Sequence, residues 1–121
     1  MHGEVLRHVL IVRPPHPSRA AVAQAVELYE DGVIVRWMIP GPVPDWAFGD
    51  EDPSERLPGF SLTDDVGTSY RPAGGSSGGG DGGYRGEDRF VPAVPESAAQ
   101  LQLHGADSVA VLELPTAGAR A

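Results

Sequence analysis

Nucleophilic chemistry in this 121-residue chain would have to come from serine with histidine and aspartate, because the sequence contains no cysteine. Ser61 or Ser69 could be combined with His8 and Asp64 into such a triad. The Gly-x-Ser-x-Gly turn that exposes a serine nucleophile is missing, however. The residues capable of covalent chemistry form no recognisable pattern, so we expect the protein not to be an enzyme.

Calcium is the metal for which the carboxylates are candidates. The side chains that could supply its oxygen ligands are Asp64, Asp65 and Asp81, together with Glu87 and Asp88. Calcium loops carry a ligand at every second position, and that spacing is absent here. The alternative is that Asp64 and Asp65 hydrogen-bond their own turn while Gly67 takes a positive φ. The sequence therefore offers a calcium site only as the alternative hypothesis.

The four histidines give no second metal pattern. They are His2, His8, His16 and His104, and none has the spacing of zinc ligands. His8 shares a strand face with leucines, which is typical of a partly buried, hydrogen-bonded histidine. We therefore expect no bound metal or cofactor.

Binding chemistry is concentrated in the acidic, proline-rich segment 40–58. The aromatic residues Trp46 and Phe48 precede the acidic run Asp50, Glu51 and Asp52. Tryptophan is enriched at binding hot spots, so this segment could anchor a partner. The aromatic pair could equally fold back over an open end of the core, since exposed aromatic patches are usually avoided. Both alternatives stay open.

Charge and hydropathy exclude several classes of partner. The net charge is −8, and the nine basic residues, all arginine, are scattered along the chain. Nucleic acids and anionic membranes attract clustered positive charge, so neither is expected to bind. The apolar run Val9–Val12 is too short for a signal-peptide core or a membrane span. We expect a cytoplasmic protein whose partner is another protein.

Short strands must position these residues. Residues 4–13 are rich in β-branched side chains and predict a first strand, which the prolines at 14, 15 and 17 should end. Residues 20–29 and 33–39 predict a hairpin around Gly32.

Each strand of this hairpin carries a row of alternating residues. In the first strand Val22, Gln24, Val26 and Leu28 form one face, and in the second Val33, Val35, Trp37 and Ile39 are predicted to face the core.

The second half of the chain continues the β pattern. Residues 59–63 and 68–71 flank Asp-Asp-Val-Gly and predict a second hairpin. The Gly/Ser-rich segment 72–83 predicts a mobile connector, and residues 84–94 a strand that prolines limit to an edge or a bulged end. Residues 99–104 and 109–114 predict a closing hairpin.

Seven or eight short strands without βαβ alternation predict an all-β fold, an immunoglobulin-like antiparallel β-sandwich with long Gly/Pro-rich loops. We interpret residues 1–121 as a single domain with an ordered core over about 4–114 and mobile loops at 40–58 and 72–83.

The order of the motifs carries a family resemblance. Glu-Leu-Tyr-Glu-Asp-Gly-x-x-x-Arg-Trp (27–37) precedes Leu-Thr-Asp-Asp-Val-Gly-Thr-Ser-Tyr (62–70), a glycine-rich spacer and Phe-Val-Pro-Ala-Val-Pro (90–95). Together they resemble uncharacterised actinobacterial β-sandwich domains. More distantly, they resemble the immunoglobulin-like modules in the extracytoplasmic part of bacterial anti-sigma factors. The resemblance implies a β-sandwich fold over residues 4–114.

The function expected from the sequence is a non-enzymatic protein-binding or assembly module. Contact would be made by segment 40–58 or by edge strands. The alternatives are a hydrolase or carbohydrate-handling protein that uses loop carboxylates, and a structural homodimer joined through edge strands.

Overall fold

Eight β-strands and no helix form the regular structure of the residues described by the computed structural model, which are 5–18, 21–39, 59–80, 83–105 and 108–115. The strands are β1 (Leu6–Ser18), β2 (Ala21–Tyr29), β3 (Val33–Ile39), β4 (Ser61–Asp64), β5 (Arg71–Gly80), β6 (Gly83–Val91), β7 (Gln100–His104) and β8 (Val109–Glu113). Every pairing between them is antiparallel.

The strands form two sheets that share one core. A five-stranded sheet has the order β1-β2-β3-β6-β5, and a three-stranded sheet has the order β4-β7-β8. Val26 and Val35 of the larger sheet and Leu101 and Leu103 of the smaller one are fully buried in a single apolar cluster. The sheets therefore pack face to face, and the prediction of an all-β sandwich is confirmed.

The hairpin of β2 and β3 is confirmed. Val33, Val35, Trp37 and Ile39 are all buried, because alternate residues of a strand point to the same face. In β2 the predicted row is wrong at its start, where Gln24 is exposed. A bulge between positions 23 and 25 shifts the alternation by one residue, so small alanines at 21 and 23 fill the core there.

The first strand does not end at its prolines. β1 continues to Ser18, with a shift in register between Ile11 and His16. The prediction of an end at Arg13 is wrong because β1 is an edge strand. One side of such a strand makes no ladder hydrogen bonds, so missing N–H groups there cost little.

The predicted hairpin over residues 59–71 is also wrong. β4 pairs with β7, and β5 pairs with β6, so the Asp-Asp-Val-Gly turn carries the chain from one sheet to the other. Its turn residues are those of a hairpin, but the segment 67–70 that follows belongs to no strand.

The glycine-rich segment forms a strand where a connector was expected. β5 extends from Arg71 to Gly80 and pairs along its length with β6, with one bulge between Pro72 and Gly75. β6 is an interior strand that ends at Val91, immediately before Pro92. Of the two predicted alternatives, an edge strand or a bulged end, the edge strand is therefore wrong.

The closing hairpin of β7 and β8 is confirmed. Leu101, Leu103 and Leu112 face the core, whereas Val109 and Val111 are exposed. No helix in the part of the chain that the structure describes is long and apolar enough to cross a membrane.

Candidate functional site

The acidic aromatic segment lies outside the described residues. This applies to Trp46, Phe48, Asp50, Glu51 and Asp52, and to the calcium candidate Asp81. The role expected for these residues therefore stays a prediction. Asp64, Asp65, Glu87 and Asp88 are described, and they fall into two separate regions of the molecule.

Asp64 is buried at the end of β4 and organises the turn that follows. Its Oδ1 accepts hydrogen bonds from the backbone N–H groups of Val66 and Thr68, each at 3.0 Å. Its Oδ2 accepts one from the Tyr70 hydroxyl at 2.7 Å. Gly67 completes the turn with a φ of 82°. The prediction that Asp64 hydrogen-bonds its own turn is confirmed.

These donors decide the charge state of Asp64. Burial by itself would raise the pKa of its carboxyl, but the hydrogen bonds from Thr68, Tyr70 and Val66 outweigh burial and hold that pKa below its usual range. Burial, and then the bond to Asp64, raise the pKa of the Tyr70 hydroxyl. A carboxylate whose lone pairs are taken by N–H and O–H donors presents a poor ligand surface to a cation.

Asp65 has a different structural role. Its Oδ1 accepts hydrogen bonds from the N–H groups of Ala99 at 2.9 Å and Gln100 at 3.2 Å. It therefore ties the turn to the start of β7. The described residues contain no group of three or more histidine, aspartate or glutamate side chains placed to hold a metal ion.

A cavity of about 410 Å³ lies at the β5 edge of the larger sheet. It is bounded by β5, β6 and residues 59 and 60, which precede β4. Its walls include the aromatic rings of Trp37, Phe60 and Phe90 with Pro72, and the carboxyl of Asp88 lies among them. The volume is within the usual range for small-molecule sites, and the lining is mainly apolar, as it is in most of them.

Asp88 lies on the core face of its strand. It pairs with Val35 in β3 and with Gly75 in β5. Phe90, two positions further along the strand and therefore on the same face, is buried. The Trp37 indole Nε1–H donates to Asp88 Oδ1 at 3.2 Å. Burial raises the pKa of the Asp88 carboxyl, and this one hydrogen bond only partly offsets it.

Glycines create the space around this carboxyl. A Cβ at Gly75 would come within 2.5 Å of the Glu87 carbonyl oxygen, and a Cβ at Gly86 would overlap the Trp37 ring. The absence of a side chain at Gly75 leaves Asp88 open to the cavity, whereas Gly86 makes room for the Trp37 ring.

The sequence did contain a signal for this site. In Tyr-Arg-Gly-Glu-Asp-Arg-Phe (84–90), strict alternation places Asp88 on the side of Phe90, where a carboxylate is unusual. On sequence alone Asp88 groups with the calcium candidates, because the glycine-rich segment 72–83 shows no period that would mark it as a partner strand.

On the outer face of the same sheet, charges pair across three strands. Arg36 of β3 donates to Glu87 of β6 at 2.5 Å and to Glu27 of β2 at 3.1 Å. Tyr29 donates to the same Glu27 oxygen at 2.8 Å. Burial would raise the pKa of Glu27, but the bonds from Arg36 and Tyr29 lower it. The groups are mutually satisfied, which is typical of a structural cross-strand network.

The β1 edge of this sheet carries a row of exposed apolar residues. In β1, Leu6, Val9 and Ile11 are 49%, 45% and 53% exposed, and register places them on the outer face. The far end of the strand is attached to the smaller sheet, where His16 is buried and its Nε2 donates to the Ser108 carbonyl oxygen at 3.2 Å.

Comparison with protein families, with characterised proteins and with solved structures finds no match for this chain. The geometry of its own residues therefore carries the functional argument.

Proposed function

We propose that the protein is a non-enzymatic binding or assembly module that contacts another protein through the first half of edge strand β1. The observation that carries the proposal is the row Leu6, Val9 and Ile11, each about half exposed on an edge strand. Edge strands usually carry charges or other features that block pairing with a second chain. This row carries branched apolar side chains instead.

The two halves of β1 differ in a way that locates the contact. Pro14, Pro15 and Pro17 lie in the second half, where they remove N–H donors from the edge. Residues 6–11 contain no proline, so an extended segment of a partner could add to the sheet there. The exposed row would then be covered by the partner's side chains.

The proposal includes the expectations of a cytoplasmic location, of an immunoglobulin-like strand arrangement, and of kinship with actinobacterial β-sandwich domains. The short apolar runs and the motif order support them. Segment 40–58 remains the alternative contact surface.

The test compares two charge substitutions at equally exposed sites. Val9→Lys with Ile11→Lys places charge on the edge, and Val66→Lys places it in the turn after β4. Chemical cross-linking in a lysate of the source cells, with mass spectrometry of the products, should give a saturable partner that only the edge variant loses. Sedimentation of the purified protein shows whether that partner is a second copy.

Loss of the partner on Trp46→Ala with Phe48→Ala, but not on the edge substitutions, would move the contact to segment 40–58. Retention of the partner by all variants would contradict both versions. Folding of each variant is checked by its circular dichroism spectrum.

A further inference from the structure

We infer that the cavity bounded by Trp37, Phe60, Phe90 and Asp88 is a binding site for a small organic cation, an amine attached to an apolar or aromatic group. It lies on the core face of the larger sheet, at β5 and β6, whereas the proposed protein contact lies on the outer face at β1. The site is therefore additional to the protein-binding surface.

The walls of the cavity favour an apolar body. Three aromatic residues line it, and a volume of about 410 Å³ holds a molecule of roughly ring-plus-side-chain size. Aromatic faces also attract cations through the negative charge of their π-systems, most strongly when water is excluded.

Asp88 is the charged side chain on the core face of the cavity wall and selects the charge of the ligand. Glu87 and Arg89 also line the cavity, but alternation along β6 directs their side chains to the opposite face of the strand. Asp88 has one oxygen bonded to the Trp37 indole at 3.2 Å, and burial opposes its ionisation. A protonated amine would donate to the carboxylate and compensate the charge that burial disfavours. An anionic ligand would face repulsion from the same group, in a chain whose net charge is −8.

The site combines a glycine at the cavity wall with a carboxyl on the core face. Gly75 lines the cavity beside the carboxyl, and an ordinary interior strand would carry an apolar side chain at position 88. The position of Asp88 on the core face is the feature that a cationic ligand explains.

The test uses three probes that share a 2-phenylethyl group and differ in charge. They are the cation 2-phenylethylammonium, the neutral 2-phenylethanol and the anion 3-phenylpropionate. Binding is followed by NMR through the indole N–H signal of Trp37, which Trp46→Phe distinguishes from the second tryptophan. We expect saturable shifts with the cation and weaker ones, or none, with the other two.

Two substitutions that each remove one carboxylate provide the matched comparison. Asp88→Asn keeps the shape and the acceptor for Trp37 but removes the charge, and it should weaken cation binding roughly 10- to 100-fold. Glu113→Gln removes a carboxylate from β8, outside the residues that line the cavity, and should leave binding unchanged. The NMR spectrum of each variant reports whether its fold is intact.

Three results would overturn the inference. They are the absence of a saturable shift with the cation, equal binding of the alcohol and the cation, and cation binding that survives Asp88→Asn unchanged. None of these results bears on the β1 contact, because the proposed protein surface uses other residues.

Discussion

Asp64 is buried and Asp88 is half-buried in the same sandwich, yet their environments have opposite effects on ionisation. Asp64 receives hydrogen bonds from two backbone N–H groups and a hydroxyl, so its pKa is lowered. Burial raises the pKa of Asp88, which lines a cavity, and its one hydrogen bond from Trp37 only partly offsets that effect.

The difference shows that burial alone does not assign a role to a carboxylate; the number of donors around it does. Asp64 has its donors in place and serves the fold. Asp88 accepts one hydrogen bond, fewer than a partly buried carboxylate needs to stabilise its charge. A ligand that donates further hydrogen bonds would stabilise that charge.

The largest effect is expected from Asp64→Ala. The substitution leaves the N–H groups of Val66 and Thr68 and the hydroxyl of Tyr70 without their acceptor, and should cost about 3 kcal/mol of unfolding free energy. Urea denaturation measures it. The neighbouring Asp65→Ala, at an exposed site with two accepted bonds, should cost about 1 kcal/mol. Equal losses would contradict the special position of Asp64.

Gly86→Ala tests the packing beside Asp88. A Cβ there would overlap three carbon atoms of the Trp37 ring, so the ring must move and the variant should lose about 2 kcal/mol. The control is Gly78→Ala in β5, where a Cβ meets no atom of the described residues within 4 Å. Equal stability of the two variants would show that the indole is free to shift.

Tyr70→Phe isolates one of the donors to Asp64. Loss of its 2.7 Å hydrogen bond should reduce stability by about 1 kcal/mol and raise the pKa of Asp64 towards its usual range. Carboxyl NMR titration of the variant measures that pKa. An unchanged Asp64 pKa would mean that the donors of Val66 and Thr68 set it without Tyr70.

The sequence predicted the elements whose alternation is unbroken and missed those that depend on pairing. The row from Val33 to Ile39 and the closing hairpin could be recognised because apolar residues recur at every second position. The strand Arg71–Gly80 could not be recognised, since glycine has no side chain to show a period and its pairing with β6 is a tertiary contact.

The same limit applies to the candidate site. Asp64 was recognised as a turn residue because its partners lie within six positions of it in the chain. Asp88 is hydrogen-bonded to Trp37, which lies 51 positions away in the chain. It lines the same cavity as Phe60 only because the two sheets pack together. A contact between residues so far apart in the chain produces no local sequence pattern.

The smallest change in the free energy of unfolding at neutral pH is expected from Asp88→Asn, and the sign of its pH dependence is definite. Because burial opposes the charge of Asp88, its amide variant should be within about 1 kcal/mol of the parent and no less stable at neutral pH. The contribution of a group with a raised pKa is fully present below its unfolded pKa and is lost as the pH rises through the folded pKa. The stability of the parent relative to Asp88→Asn should therefore fall as the pH rises.

Asp64→Asn should give the opposite slope. The lowered pKa of Asp64 makes its contribution present above the unfolded pKa, and that contribution is lost as the pH falls through the folded value. Urea denaturation of the parent and both variants between about pH 2 and pH 7 covers these transitions. Each amide variant no longer titrates at its position, so each difference from the parent reports one carboxyl. If both differences had the same sign of slope, the contrast between a carboxylate that serves the fold and one available to a ligand would be lost.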